Sequence, residues 1–403
     1  MWRAEAFRNF RRSILATHRN LLHTGYFISW DEKKRCATPL EKGWHYRIFQ
    51  ICALFCIFVV MPTVILRLYQ LLSRGGADVV EIWFAYLCIV YLWLGVHYLW
   101  YFVWPEGVKK FVHVYASLLS LEKKLQGMIP SQIYKFRRDV IKTTAIRNIS
   151  IIITLFFYAF DYLVPMFSFV VAFSPQNPIT NLVTSTKLVS EENIFLTKLI
   201  GGLIVSTTGA LTASTLSIGI LLVMYGIVTL YLWTLFLVPS DKSALSFDTG
   251  VKIYRALRVM TLVQFDLSRD LVLPLMHHFY AVVWATMAIY CVMIQVIVSG
   301  KVTPFSMLVC VTMILVAGYV EWFAIAIVAK GTTLSKTFIL EARRNHEKNK
   351  YRRRILRSLL PNYINLEFVS SVETMQEGID MEYFANFLER VTSNTISLLL
   401  ARN

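Results

Sequence analysis

Acidic side chains are scarce in this chain: 25 Asp and Glu stand against 41 Lys and Arg in 403 residues, and only 16% of positions are charged. Catalytic patterns are missing. There is no Gly-rich phosphate loop, no His-Glu-x-x-His and no nucleophile elbow, so no enzymatic activity and no cofactor are expected. The six cysteines make a poor disulfide framework, since Cys52, Cys56, Cys88, Cys291 and Cys310 lie inside apolar runs and Cys36 precedes them all. No cysteine and histidine spacing indicates zinc, and no metal is expected. The first 45 residues are polar and basic without a compact apolar core, so no cleavable signal is expected. The only Asn-x-Ser/Thr triplet, Asn148-Ile149-Ser150, sits at the inner end of an apolar run, where it is not expected to be glycosylated.

What the chain has in abundance is long apolar runs. A bilayer requires about 20 apolar residues per spanning helix, because lipid cannot hydrogen-bond to the backbone. Seven segments qualify, at 46–72, 79–104, 149–173, 195–238, 276–299, 305–329 and 381–401. The fourth is about twice a membrane thickness, so it is expected to project beyond the bilayer as one long helix. The seventh is interrupted by Glu389, Arg390 and Asn394. It is expected to lie among other helices or to line water, because so polar a helix cannot face lipid all round.

Charge sets the orientation. Residues 1–46 hold nine basic and four acidic side chains, residues 105–148 nine and three, and residues 330–357 ten and two. The loops near 73–81, 174–198 and 300–304 together hold four of each. The basic segments are therefore read as cytoplasmic, with the amino terminus inside and the carboxyl terminus outside. The net charge of +16 is accounted for by this asymmetry, so no nucleic-acid partner is expected; the partner is the lipid bilayer, including anionic lipid. The fold class is an all-α membrane protein of seven transmembrane helices with helices extended into a cytoplasmic anchor region. Its parts are a cytoplasmic segment (1–45), a six-helix bundle with cytoplasmic extensions (46–329), a cytoplasmic anchor segment (330–380) and a last transmembrane helix (381–403).

Apolar residues at spacings of three and four predict further helices outside the membrane. Val108, Phe111, Val112, Tyr115, Leu118 and Leu119 do so over 107–142, read as an inward extension of the second span. Val251, Tyr254, Leu257, Val259 and Leu262 form a stripe over 245–275, and 333–358 is a third candidate, ended by Pro361. Asp161 and Glu321 are carboxylates inside apolar spans, a costly placement that marks function or a polar contact with a neighbouring helix; His97 is a candidate neighbour for Glu321. The outer halves of the middle spans carry aromatic, Met and hydroxyl residues. Of these, Trp83, Tyr86, Tyr158, Asp161, Tyr162, Thr208, Tyr290, Gln295 and Met313 are the candidate ligand-binding set, although ordinary helix packing uses the same residue types.

Two short segments carry a family resemblance. Tyr254-Arg255-Ala256-Leu257-Arg258-Val259-Met260-Thr261, followed by Phe265-Asp266, is similar to the Tyr-Arg-x-Leu-x-x-Leu segment of the arthropod gustatory and odorant receptor superfamily. Thr395-Ile396 and the apolar stretch to Ala401 match the spacing of the gustatory motif Thr-Tyr, five apolar residues, Gln-Phe, with Ile396, Arg402 and Asn403 in place of Tyr, Gln and Phe. The topology and the long fourth helix resemble that superfamily along the whole chain. The resemblance implies a plasma-membrane, multi-pass chemosensory subunit forming a ligand-gated, non-selective cation channel. It implies a homo- or heterotetramer whose last helices surround the pore, opened by a small-molecule tastant or odorant bound in the outer half of the bundle. In that setting Leu398, Leu399 and Leu400 are the candidate gate, and Arg402 is expected to point away from the axis.

Two other classes fit seven spans. A metabotropic receptor predicts an outside amino terminus and an Asp-Arg-Tyr or Asn-Pro-x-x-Tyr motif, and neither motif occurs. A small-molecule transporter predicts an internal repeat, and none is visible.

Overall fold

The computed structural model describes residues 3–74, 79–141, 147–175, 177–186, 191–238, 245–271, 273–294, 296, 304–362 and 379–401. Among these, six helices are long and apolar enough to cross a membrane: Trp44–Ser73, Glu81–Val103, Arg147–Ala172, Ile194–Leu237, Met276–Met293 and Met307–Asn345. The architecture is that of a helical multi-pass membrane protein. The segment expected as a seventh span is a helix over Glu382–Leu400, but its charged and polar residues keep it out of the apolar six.

In chain order, α1 (Arg3–Asn20) precedes a two-stranded antiparallel hairpin of β1 (Ile28–Asp31) and β2 (Cys36–Pro39). The hairpin is a small addition to a chain that is otherwise helical, as expected of an all-α membrane protein. Its turn is fixed by the Asp31 carboxylate, which accepts the backbone N–H groups of Lys33 and Lys34 at 2.9 Å each, while Arg35 turns the chain at φ 49°. The first span is α2 (Trp44–Phe55), a π-helical turn (Cys56–Val60) and α3 (Met61–Arg74); the second is α4 (Val79–Val103). Instead of running inward unbroken, the chain goes extended at Trp104 (φ −92°, ψ 128°) and restarts as α5 (Pro105–Gly127). A residue before proline is pushed out of the helical region, and proline then suits a helix start. Pro130 follows the end of α5, and α6 (Ser131–Ile141) begins just after it.

The third span is α7 (Arg147–Tyr158), a second π-helical turn (Ala159–Leu163) and α8 (Val164–Ala172), followed by α9 (Pro178–Ser185). The fourth is α10 (Ile194–Leu237), a single helix of 44 residues. Then come α11 (Phe247–Leu271), α12 (Leu273–Met293), α13 (Pro304–Asn345), α14 (Lys350–Arg357) and α15 (Glu382–Leu400). Because α13 runs unbroken through residue 330, the boundary expected there falls inside one helix.

Helix α10 is the axis of the molecule. It is apolar all round, the pattern of a core helix, and α1, α4, α8, α11 and α13 pack against it. Two glycines permit the closest approaches: a Cβ at Gly219 would overlap the Tyr98 ring, and one at Gly226 would overlap the Gln264 amide. Within lipid such fitting is the main source of helix association, since acyl chains are as apolar as leucine. The carboxyl-terminal half of α10 is packed by polar as well as apolar contacts. There Phe10 of α1 stacks on Tyr115 of α5 at 4.1 Å, and the Tyr225 hydroxyl of α10 donates to the buried Glu122 carboxylate at 2.7 Å. Arg137 of α6 donates to the carbonyl of Phe236 at the end of α10, where the helix dipole favours a cation.

The stripe on α11 is partly as expected. Val251, Tyr254 and Leu257 are buried, whereas Val259 and Leu262 are exposed; at 100° per residue the last two stand roughly 140° or more around the helix from Leu257. Met260, Gln264 and Leu267 are buried instead. Tyr254 clamps the return of the chain: its hydroxyl donates to the Leu360 carbonyl at 2.8 Å and accepts the Asn362 N–H at 3.1 Å, and its ring stacks on Phe338 at 5.1 Å. Arg258 donates to the Pro361 carbonyl at 3.3 Å.

Candidate functional site

The candidate ligand set divides between two places. Trp83 of α4 is buried in a cluster with Leu87, Val171, Ala288 and Cys310, and Met313 of α13 packs on the same cluster. The Trp83 indole N–H donates to the Met287 carbonyl at 3.2 Å, which fixes its ring between α4 and α12. Tyr86 is half-buried against the main core, and Tyr290 is half-buried on α12. Thr208 is buried on α10 with its hydroxyl satisfied by the Ile204 carbonyl at 2.8 Å. Gln295 lies outside the described residues. The structure thus brings Trp83 and Met313 together in one aromatic and sulfur-bearing cluster.

Tyr158, Asp161 and Tyr162 are elsewhere, under α1. The π-helical turn carries Asp161 toward α10, where the carboxylate accepts hydrogen bonds from Ser217 at 2.7 Å, from Ser13 at 3.0 Å and from the Arg12 Nε at 3.3 Å. Asn20 donates to its backbone carbonyl at 2.9 Å. The Arg12 guanidinium lies 4.0 Å from the Tyr158 ring centroid and the Arg19 guanidinium 4.4 Å from that of Tyr162. A carboxylate that is 2% exposed requires a cation and donors to offset the loss of water. The amphipathic α1 supplies both. These three residues form the seat of the amino-terminal helix and do not share a wall with Trp83.

Glu321 is fully buried on α13 between two histidines of α12, at 3.5 Å from His277 Nε2 and 3.3 Å from His278 Nδ1. His97, the expected neighbour, instead meets the Tyr280 hydroxyl at 3.0 Å. The His278 ring lies 4.6 Å from that of Tyr383 on α15, so this polar cluster sits where α12, α13 and α15 converge. Glu321 itself was a sequence signal for it, and the adjacent His277 and His278 at the start of an apolar span were another.

On α15, Phe387, Val391 and Thr395 are buried in a row of i, i+4 spacing, against α12. Leu399 continues that row and is half-buried, while Leu398 and Leu400 are 36% and 66% exposed. Glu389, Arg390 and Asn394 are exposed as well. Arg402 lies outside the described residues.

At the opposite end of the first two spans, Arg67 and Glu81 form a buried ion pair at 2.5 Å, to which Ser185 and Asn181 of α9 add hydrogen bonds at 3.1 and 2.9 Å. Asn177 caps α9 by accepting the N–H groups of Ile179 and Thr180 at 3.0 and 3.2 Å. None of the six cysteines is joined in a disulfide. Set against protein-family models and curated proteins, the sequence matches none.

Proposed function

We propose that this chain is a subunit of a ligand-gated cation channel of the chemosensory type, assembled as a tetramer with α15 of each subunit around a central pore. The observation that carries this reading is the state of α15. A single row of side chains, Phe387, Val391 and Thr395, seats it on α12, and its remaining faces mix leucines with Glu389, Asn394 and Ser397 without cover. Such a helix suits neither lipid all round nor water all round. Copies of itself around a wet axis satisfy both demands. Taken as a seventh span, α15 follows six apolar helices and leaves the carboxyl terminus outside, with the basic segments inside.

In this reading the cluster around Trp83 and Met313 is the seed of the ligand cavity. A small apolar tastant or odorant gains by burial there, and a few kcal/mol of preference for the open state shifts the channel population. The reading is tested by reconstituting the purified full chain in a planar bilayer and recording current. Discrete cation currents that rise with a candidate ligand support it; a tight bilayer at every ligand concentration removes it.

A further inference from the structure

A groove of about 540 Å³ lies at the junction of α4, α5 and α11, lined by Val96, His97, Trp100, Tyr101, Trp104, Glu106, Gly107, Lys110 and Asp270. Its volume falls within the range of small-molecule sites, roughly 300–1,000 Å³. We propose that it holds the choline headgroup of a phospholipid from the adjacent leaflet.

The walls are aromatic. Trp100 and Trp104 meet edge to face, with centroids 5.6 Å apart and planes at 82°, so they present two faces at a right angle. The Tyr101 hydroxyl is buried beside them without a hydrogen-bond partner. Gly107 lets the start of α5 approach the end of α4 closely, since a Cβ there would strike the Tyr101 carbonyl.

The charge favours a cation. Lys110 is held by Asp266 at 2.9 Å and by Asp270 at 2.5 Å, so its own charge is committed. Glu106 at the lip has no ion-pair partner among the described residues. The lining charges, Glu106 and Asp270 against Lys110, sum to −1. An onium group is drawn to aromatic faces and to an unpaired carboxylate. A trimethylammonium is weakly hydrated and loses little water on entering, whereas the primary ammonium of an ethanolamine lipid is strongly hydrated.

A lipid, not a soluble cation, is indicated by what adjoins the groove. Trp93 and Trp100 are each about half exposed on α4, seven residues apart and so on one side of the helix, and Trp104, just past its end, is about half exposed as well. Indoles of this kind mark the membrane interface, and acyl chains of a lipid seated in the groove would run up this stripe.

The test uses the full chain in detergent and a photoreactive phosphatidylcholine, with labelled peptides mapped by mass spectrometry. The expected label falls within residues 93–110. It is displaced by dodecylphosphocholine but not by the same concentration of choline chloride or of an ethanolamine lipid. Trp104→Leu and Glu106→Gln should each reduce it by about fivefold, with unlabelled protein of both variants melting as the parent does. Should a variant fail to fold, the competition on the parent protein decides alone. Label outside 93–110, equal displacement by the ethanolamine lipid, or displacement by choline chloride overturns the proposal.

Discussion

Asp161 shows what a single side chain can reveal before any fold is known. A carboxylate in an apolar span announces that something polar meets it, and the structure supplies Ser217, Ser13 and Arg12 at 2.7, 3.0 and 3.3 Å. Replacing Asp161 by Ala should leave the Arg12 cation without its partner and cost about 3 kcal/mol, read as a lower thermal midpoint of the detergent-solubilised chain. The double variant Asp161→Ala with Arg12→Met should recover part of that loss, since it removes both charges. An unchanged midpoint in the single variant would show that the pair contributes nothing. The cost of the carboxylate was legible in the sequence, but its partners were not, because Ser13 lies 148 residues away and no local spacing encodes such a contact. Glu321 repeats the lesson: placing His277 and His278 on either side of it, in preference to His97, takes the rotation of α12 against α13, which periodicity within one helix does not contain.

At the level of elements, the helices themselves were largely readable from apolar length and period, and α10 runs over Ile194–Leu237, within a residue of its expected bounds. The hairpin was not, because its strands are only four residues each, too short for alternation to stand out. The break at Trp104 had a visible cause in Pro105, yet the apolar spacing on either side concealed it. His18 joins α1 to that hairpin through a ring nitrogen 2.9 Å from the Ile28 carbonyl. Burial holds its pKa below the ordinary histidine value, with the carbonyl contact opposing that shift. The unfolded chain therefore takes up the proton first as pH falls. The contribution of His18 is complete above its unfolded pKa, about 6.5, and is lost as pH drops through the lower folded value. Thermal midpoints taken at about pH 7.5 and about pH 5.5 should show a fall that is smaller in His18→Asn; an identical fall in both would assign the effect to other groups. For α15, Leu399 lies on the packed row and Leu398 and Leu400 on the open faces. Serine at Leu398 or Leu400 should raise basal current by wetting a closed constriction, while Leu399→Ser should mainly reduce yield of folded protein. Unaltered leak in all three, at normal surface expression, would put the gate on another element.

For the whole molecule, the alternation of basic and neutral connections predicts that an epitope within 346–350 is reached by antibody only after permeabilisation and one after Asn403 on intact cells. The reverse pattern at either tag would break the seven-span reading. The placement of the candidate ligand residues is the part of the molecule least legible from sequence. Tyr158 and Tyr162 resemble pocket aromatics by type and position, but they are taken by Arg12 and Arg19 of a helix that precedes every span. The length of α10 bears on how the protein is made. At 44 residues it is about 66 Å long, roughly twice a hydrocarbon core of about 30 Å, so as a membrane span it would leave about half of an apolar helix on the aqueous side. While α11 and α13 remain unsynthesised, only α1, α5 and α6 are available to shield that half. Synthesis of such a span would then include a stage at which the faces that α11 and α13 later cover stand open, the kind of species that aggregates or recruits chaperones. A chain shortened before Phe247 should accumulate at that stage.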